Sequence, residues 1–299
     1  MKTYLDCIPC LLRQAADVLD RGNLSVPERE ESIRAVLAAL AQADFASSPP
    51  ALAGQIHRVL RTRTGVRDPY REIKGRMNWF ALNLMPGLQR KVSSAASPLA
   101  TAVRLAIAGN VIDLGVAGHM KTGTTMEALH GALEAPLLGR PRALAEAAAD
   151  AEQILYLADN AGEIVFDQLL LEQLPGKNIL VAVRGHPILN DATLADACAT
   201  ALTKRWTVID NGSDLPGTDL PSCSESFRQL YDEADLVIAK GQGNYETLSN
   251  SPKHTFFLLK AKCPVIARDL DCEVGTMVLR ESGVVDAADT DLKQAEVRV

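Results

Sequence analysis

Beyond about residue 150 the hydrophobic period of the chain changes, and that change limits the fold more than any other feature. QILYLA (153–158), NILVAVR (178–184), WTVID (206–210), DLVIAK (235–240) and CPVIA (263–267) are short apolar runs rich in branched residues. Most are separated by stretches of helical character: EIVFDQLLLEQL, TLADACATAL and SFRQLYDEA. Buried strands alternating with helices indicate an α/β domain with a mostly parallel, Rossmann-like sheet.

The first hundred residues read differently. CLLRQAADVL (10–19) repeats apolar residues at helical spacing. Ser25 and Glu28 resemble a capping box that opens a helix through about Leu40, with Pro27 in its first turn. PALAGQIHRVLRTRTG (50–65) is a helix stopped by Gly65, the next runs from about Pro69 to Leu84, where Pro86-Gly87 interrupts or ends it, and SPLATAVRLAIAG (97–109) follows. The expected organisation is a helical N-terminal domain over 1–108 and an α/β domain over 109–299. The joint falls within 100–150, since GNVIDLGVAGHMKTGTT suits either side. The 299 residues have room for one large domain or two smaller ones.

Composition removes several classes of function. A net charge of −6 and the lack of a strongly basic block argue against a nucleic-acid partner. No run approaches the ~18 to 20 apolar residues of a membrane span, and MKTYLDCIPC has no signal-peptide character. Six cysteines scattered through the chain do not form a disulfide framework, so a cytoplasmic location with reduced thiols is expected.

The polar residues collect after the strands. The first run is followed by Asp159-Asn160-Ala161-Gly162-Glu163, and the second by Arg184-Gly185-His186-Pro187 and then Asn190-Asp191. Asn211-Gly212 follow the third, and Lys240-Gly241-Gln242-Gly243-Asn244 close the fourth. In an open α/β sheet, ligands bind at the carboxyl ends of the strands, so these loops should converge on one crevice. Asp159, Asn160 and Asp191 offer hard oxygen ligands for a divalent cation such as Mg²⁺ or Mn²⁺. Two carboxylates roughly neutralise such an ion, and an amide as third ligand avoids a further charge that would repel a phosphate. Lys240, on what reads as a glycine-rich turn, can present a cation to that phosphate. Together these are the apparatus of phosphoryl transfer or hydrolysis.

Taken singly, each feature has a plainer reading. Asp-Asn before a glycine caps helices more often than it binds metal, and Asn190-Asp191 can simply precede the helix from Thr193. A lysine at a strand end is more often solvated, and His186-Pro187 is more often a turn. Only the shared position after successive strands favours a site.

With these residues in view, LADNAGE, RGHPILND and AKGQGNYE, together with GNVIDLG (109–115), resemble the metal-dependent damage-control phosphatases, also called acidic-residue-methyltransferase-like. CIPC near the N-terminus resembles the stand-alone microbial branch of that family. The resemblance implies a helical region packed on a Rossmann-like three-layer α/β/α core. It also implies a divalent-metal phosphatase of small phosphorylated metabolites, sugar phosphates among them, with magnesium, manganese, cobalt or nickel as the metal. Carried over by motif, Asp159, Asn160 and Asp191 are metal ligands and Asp159 is a candidate nucleophile. Lys240 is catalytic and phosphate-binding, and Asn244, Glu163 and Asn110 line the pocket. The alternatives are an S-adenosylmethionine-dependent methyltransferase, against which the first strand lacks the expected GxGxG turn, and a non-catalytic phosphometabolite-binding protein.

Cys7-Ile-Pro-Cys10 has the form of a redox motif, whose helix end would stabilise a thiolate. Only six residues precede it, leaving no room for the upstream strand of a thioredoxin-like unit. A structural role for two cysteines one helical turn apart is the commoner outcome.

Overall fold

The computed structural model describes residues 1–22, 24–109, 122–175 and 178–282. Five helices come first: α1 (Cys7–Arg21), α2 (Val26–Ala41), α3 (Pro49–Thr64), α4 (Arg71–Ser93) and α5 (Pro98–Ala108). The local signals explain most of their limits. The Ser25 N–H donates to Glu28 Oε2 at 2.8 Å, closing one half of a capping box at the start of α2. Gly65 ends α3 in the left-handed conformation, φ 68°, and its N–H returns to Arg61 O. Pro86 does not interrupt α4, contrary to the sequence expectation. The proline and the preceding-turn residue Leu82, whose carbonyl loses its usual donor, are both exposed, while Ala81, Met85, Leu88 and Val92 pack one buried face across the site.

The remaining elements are α6 (Thr122–Glu134), β1 (Leu137–Leu138), α7 (Pro141–Asp150), β2 (Gln153–Leu157), α8 (Glu163–Leu171), β3 (Asn178–Val183), α9 (Leu194–Ala199) and β4 (Thr207–Asp210). They are followed by α10 (Glu225–Glu233), β5 (Leu236–Lys240), α11 (Gly241–Leu248), β6 (Thr255–Lys260), α12 (Pro264–Asp269) and β7 (Met277–Glu281). The sheet runs β1-β7-β6-β5-β2-β3-β4. Every pair is parallel except β6 with β7.

Two expectations are corrected here. CPVIA is not a strand: Cys263 sits at the N-cap and Pro264 opens α12. A short apolar run cannot be assigned by period alone, and a proline at the first helical position settles this one. The sixth strand is TFFLLK, buried on both faces and paired in parallel with β5. Likewise AKGQGNYE is not a glycine-rich turn, because α11 begins directly at Gly241.

Alternation along the strands divides the core into two layers. Tyr156, Val181, Ile238, Phe256 and Leu258 join the buried residues of α1, α3, α4, α5 and α8. Leu155, Leu157, Val237, Ala239 and Phe257 meet Phe227 and Tyr231 of α10, Tyr245 and Leu248 of α11, and Ile266 of α12. This is the period of two acting on a sheet covered on both sides. The first layer of core runs unbroken from Leu11 to Leu279, so the leading helices and the sheet share it. Successive crossovers lead from β2 to β3 to β4 in one direction, whereas β5 lies on the other side of β2 and β6 beyond it. The switch point therefore lies between the carboxyl ends of β2 and β5, where such sheets bind ligands.

Candidate active site

The exits of β2 and β3 are sewn together before any functional side chain is placed. Ala161 N donates to Asn190 O at 2.9 Å and Ala192 N to Asp159 O at 2.8 Å. Asn160 and Asp191 thereby face each other as a small antiparallel bridge. The predicted metal set, Asp159, Asn160 and Asp191, is brought together by backbone hydrogen bonds, and all three residues are buried.

Asp159 lies against the start of α11. Gly241 has φ +79°, and a Cβ there would come within 1.8 Å of Asp159 Oδ2, so only glycine admits the carboxylate. Asn160 Nδ2 donates to Asp159 Oδ2 at 2.9 Å and to Glu163 Oε2 at 3.0 Å. Its amide nitrogen is thus committed to carboxylates, and its Oδ1 is the atom left to offer a ligand. Arg184, the last residue of the run NILVAVR, is fully buried. Its Nε donates to Asp191 Oδ2 at 2.7 Å, and its Nη2 stands 3.8 Å from Asp159 Oδ1.

Lys240 occupies a different position from the one its sequence suggests. It points from the end of β5 into the helical layer and is fully buried. Its ammonium donates to Ala106 O of α5 at 2.8 Å, Glu163 Oε1 at 2.7 Å and Asp167 Oδ1 at 2.5 Å. All three donors are used inside the protein, so in this conformation the lysine holds Glu163 and Asp167 and leaves no donor for a phosphate. Glu163 links the two groups, with one oxygen on Lys240 and the other on Asn160.

Asn244 is also fully buried. It donates to Lys240 O at 2.7 Å and Ala158 O at 3.3 Å, and accepts from Thr218 Oγ1 at 2.8 Å. It is a strut between β2, α11 and the loop after β4. Asn110, expected to line the pocket, lies outside the described residues.

Acidic side chains crowd this volume. Four buried carboxyl groups, Asp159, Glu163, Asp167 and Asp191, face two buried cations, Arg184 and Lys240. Burial raises the pKa of Asp159 well above the usual carboxylate range, and Glu163 and Asp191 push it further, against the pull of Arg184. Burial raises Asp191 too, opposed by its guanidinium partner. Asp167 is pushed up to about 6 by burial, with Lys240 opposing.

The donor set can be tested against the metal implied by the sequence resemblance. No group of three or more His, Cys, Asp or Glu side chains among the described residues is arranged to hold an ion. The candidate set is instead two carboxylates and an amide, all hard oxygen donors, buried together at the exits of β2 and β3. Those residues fit a hard divalent cation.

Sequence reasoning named Arg184 without giving it a role, and it missed Asp167 and Asn78. An acidic pair four apart on the mostly apolar stretch EIVFDQLLL signals one helix face looking at a buried cation. Asn78 gave no local signal. It reaches in from α4, accepts the Gly162 N–H at 2.7 Å and donates to Asp196 at 2.9 Å. The CIPC cysteines are unpaired in this structure. Burial pushes the Cys7 thiol up, opposite to an activated thiolate.

A family model described as the damage-control phosphatase ARMT1-like domain matches residues 3–278. A damage-control phosphatase of Pyrococcus horikoshii is 34% identical, over 93% of this chain and 97% of that protein. One of Archaeoglobus fulgidus is 34% identical, over 94% and 99%. The crystal structure of a DUF89 family protein from P. horikoshii superposes with a TM-score of 0.87 at 31% identity, covering 94% of this chain and 99% of that one.

Proposed function

We propose, from the premise that this chain belongs to the damage-control phosphatase ARMT1-like family, that it is a divalent-metal-dependent phosphatase hydrolysing phosphomonoesters of small metabolites. The observation that carries the reading is the convergence of the buried Asp159 and Asp191 carboxyl groups and the Asn160 amide at the sheet's switch point, where backbone hydrogen bonds between the two strand exits hold them together. Asp159, Asn160 through Oδ1, and Asp191 would hold the ion. When bound, a divalent cation offsets the buried charge and supplies Lewis-acid polarisation of a phosphoryl oxygen.

The chain's own residues define the rest. Arg184 fixes the Asp191 carboxylate and stands near Asp159, so neither turns away from the crevice. Lys240 is a positioning residue: it clamps Glu163 Oε1, and Glu163 Oε2 in turn fixes the amide plane of Asn160. Gly241 lets the backbone of α11 approach Asp159. Asp159 is the residue best placed either to ligate the ion or to attack phosphorus.

Membrane attachment through a helix has no support, since no described helix is long and apolar enough to cross a bilayer. The test is hydrolysis of p-nitrophenyl phosphate by the purified chain, with chelator and after re-addition of Mg²⁺, Mn²⁺, Co²⁺ or Ni²⁺. Activity should vanish with chelator and return with at least one ion. Activity that survives both chelator and Asp159→Ala overturns the assignment. Binding of a sugar phosphate without turnover by any metal-loaded form favours a non-catalytic binding protein.

A further inference from the structure

We infer that the open cleft between α3 and the loops after β3 and β4 is a second anion-binding subsite, which favours substrates carrying a phosphate or carboxylate besides the phosphate removed. The inference rests on the phosphatase reading for the word substrate, and on separate residues for the subsite itself.

The cleft has a volume of about 670 Å³ and is lined by Arg58, Arg61, Arg67 and His186, with Asp214 as its one acidic wall residue. That volume lies within the range of small-molecule sites. Three arginines against one aspartate make a locally positive surface on a chain whose net charge is −6. The arginines are also ordered for a ligand. Arg58 grips Asp214 through Nε at 2.9 Å and Nη2 at 2.5 Å, and Arg61 Nη2 shares the same carboxylate. One carboxylate thus fixes two guanidinium groups, each of which has five donors. Arg67 stands exposed beside them, with no ion-pair partner among the described residues. A planar donor array of this kind suits the oxygens of phosphate or carboxylate.

Two loops tie the cleft to the candidate active site. The first closes on itself, since Arg184 N donates to Ala192 O at 2.9 Å. Its base carries Arg184 and Asp191, whereas its tip carries His186 and Pro187, and Arg61 donates to Pro187 O at 3.4 Å. The second loop carries Asp214 in the cleft. Three residues on, the Gly217 N–H meets the Asp191 carboxyl, and then Thr218 meets Asn244. At ~3.3 to 3.6 Å per residue, Pro187 lies within ~14 Å of Asp191 and Asp214 within ~11 Å of Gly217. The short loops thus limit the backbone separation between the cleft and Asp191 to roughly 14 Å at most, within which a sugar with charged groups at both ends can bridge the two.

The test compares the full, metal-loaded chain on a hexose 6-phosphate, the matching 1,6-bisphosphate and the matching sugar-acid 6-phosphate. Wild type should favour the doubly anionic substrates in kcat/KM by about tenfold, the worth of one charge-assisted contact. Arg67→Ala and Arg58→Ala should remove most of that preference, while Arg63→Ala, on the same helix run but outside the cleft, should retain it. Loss for the bisphosphate alone assigns the subsite to phosphate, and loss for both assigns it to anions generally. Equal turnover of all three esters by wild type, or equal loss on all three in Arg67→Ala, overturns the inference. Calorimetric titration of the bisphosphate into metal-free wild type and Arg67→Ala separates the two readings. Binding weakened by Arg67→Ala in a protein that hydrolyses nothing upholds the cleft and removes the phosphatase. Turnover without discrimination, with binding unaltered by Arg67→Ala, does the reverse.

Discussion

Two buried ionic groups lie side by side in this protein, and they are built from the same residue types for opposite ends. Around Lys240 every donor of the ammonium has an acceptor: Ala106 O, Glu163 and Asp167. Around Asp159 and Asp191 the Arg184 guanidinium lies 2.7 Å from one carboxylate and 3.8 Å from the other, and Lys262 also draws on Asp159. The first arrangement uses every donor of its cation, and so it ties α5, α8 and β5 together. The second places two acidic side chains and an amide at adjoining strand exits, the donor set proposed above for a divalent cation. A buried cation whose donors are all taken holds a structure in register. Glu163 joins the two, with one oxygen on Lys240 and the other on Asn160.

The largest expected effect breaks the satisfied side. Lys240→Met leaves Glu163 and Asp167 buried without their cation and should cost about 3–5 kcal/mol in unfolding free energy, read by urea denaturation. A loss below about 1 kcal/mol would remove the distinction between the two groups. On the other side, Asp159→Asn should lower kcat/KM by roughly 10²- to 10³-fold, or about 2.7–4 kcal/mol. Its unfolding midpoint should be unchanged or higher, because one like charge leaves a crowded site. A variant that loses stability and activity together would make Asp159 a structural residue.

Metal loading tests the same contrast from outside. A divalent ion at about 100 times its Kd should stabilise the wild type by about 2.7 kcal/mol. The gain should be lost in Asp191→Asn and kept in Arg63→Ala, as judged by thermal melts.

The smallest effect is a pH slope. Asp159 and Asp191 have folded pKa values above their unfolded ones. The folded metal-free chain therefore binds more protons, and its stability should fall as pH rises above the unfolded carboxylate range near ~3.9, at up to roughly 1 kcal/mol per pH unit per group. Equilibrium denaturation from pH 4 to 7 should show that fall in wild type and a flatter line in Asp159→Asn. A metal-free wild type that grows more stable over this range would reverse the assigned sign.

Much of this was legible in the sequence, for particular reasons. Strands β2, β3, β4 and β5 are short branched runs flanked by helices, and a pattern set by period survives whatever packs on it. That Asp159, Asn160 and Asp191 would lie together was legible because strand exits at one sheet edge must converge. CPVIA and TFFLLK were harder: a continuous apolar run has no period, and only Pro264 and the pairing of β6 with β5 decide between helix and strand.

By itself, then, the sequence determined the α/β class, the order of β2 to β5 with the helices between them, and the residue types gathered at the switch point, because these depend on spacing along the chain. The tertiary structure decided what each side chain does there. The sequence placed Lys240 at a strand end, where it looked free for a phosphate. The fold turned it onto the face covered by α5 and α8, and a buried ammonium must be filled by the acceptors around it. Arg184 and Asn78 became members of the site for the same reason: their partners lie far away in sequence or around a closed loop, and only packing brings them together.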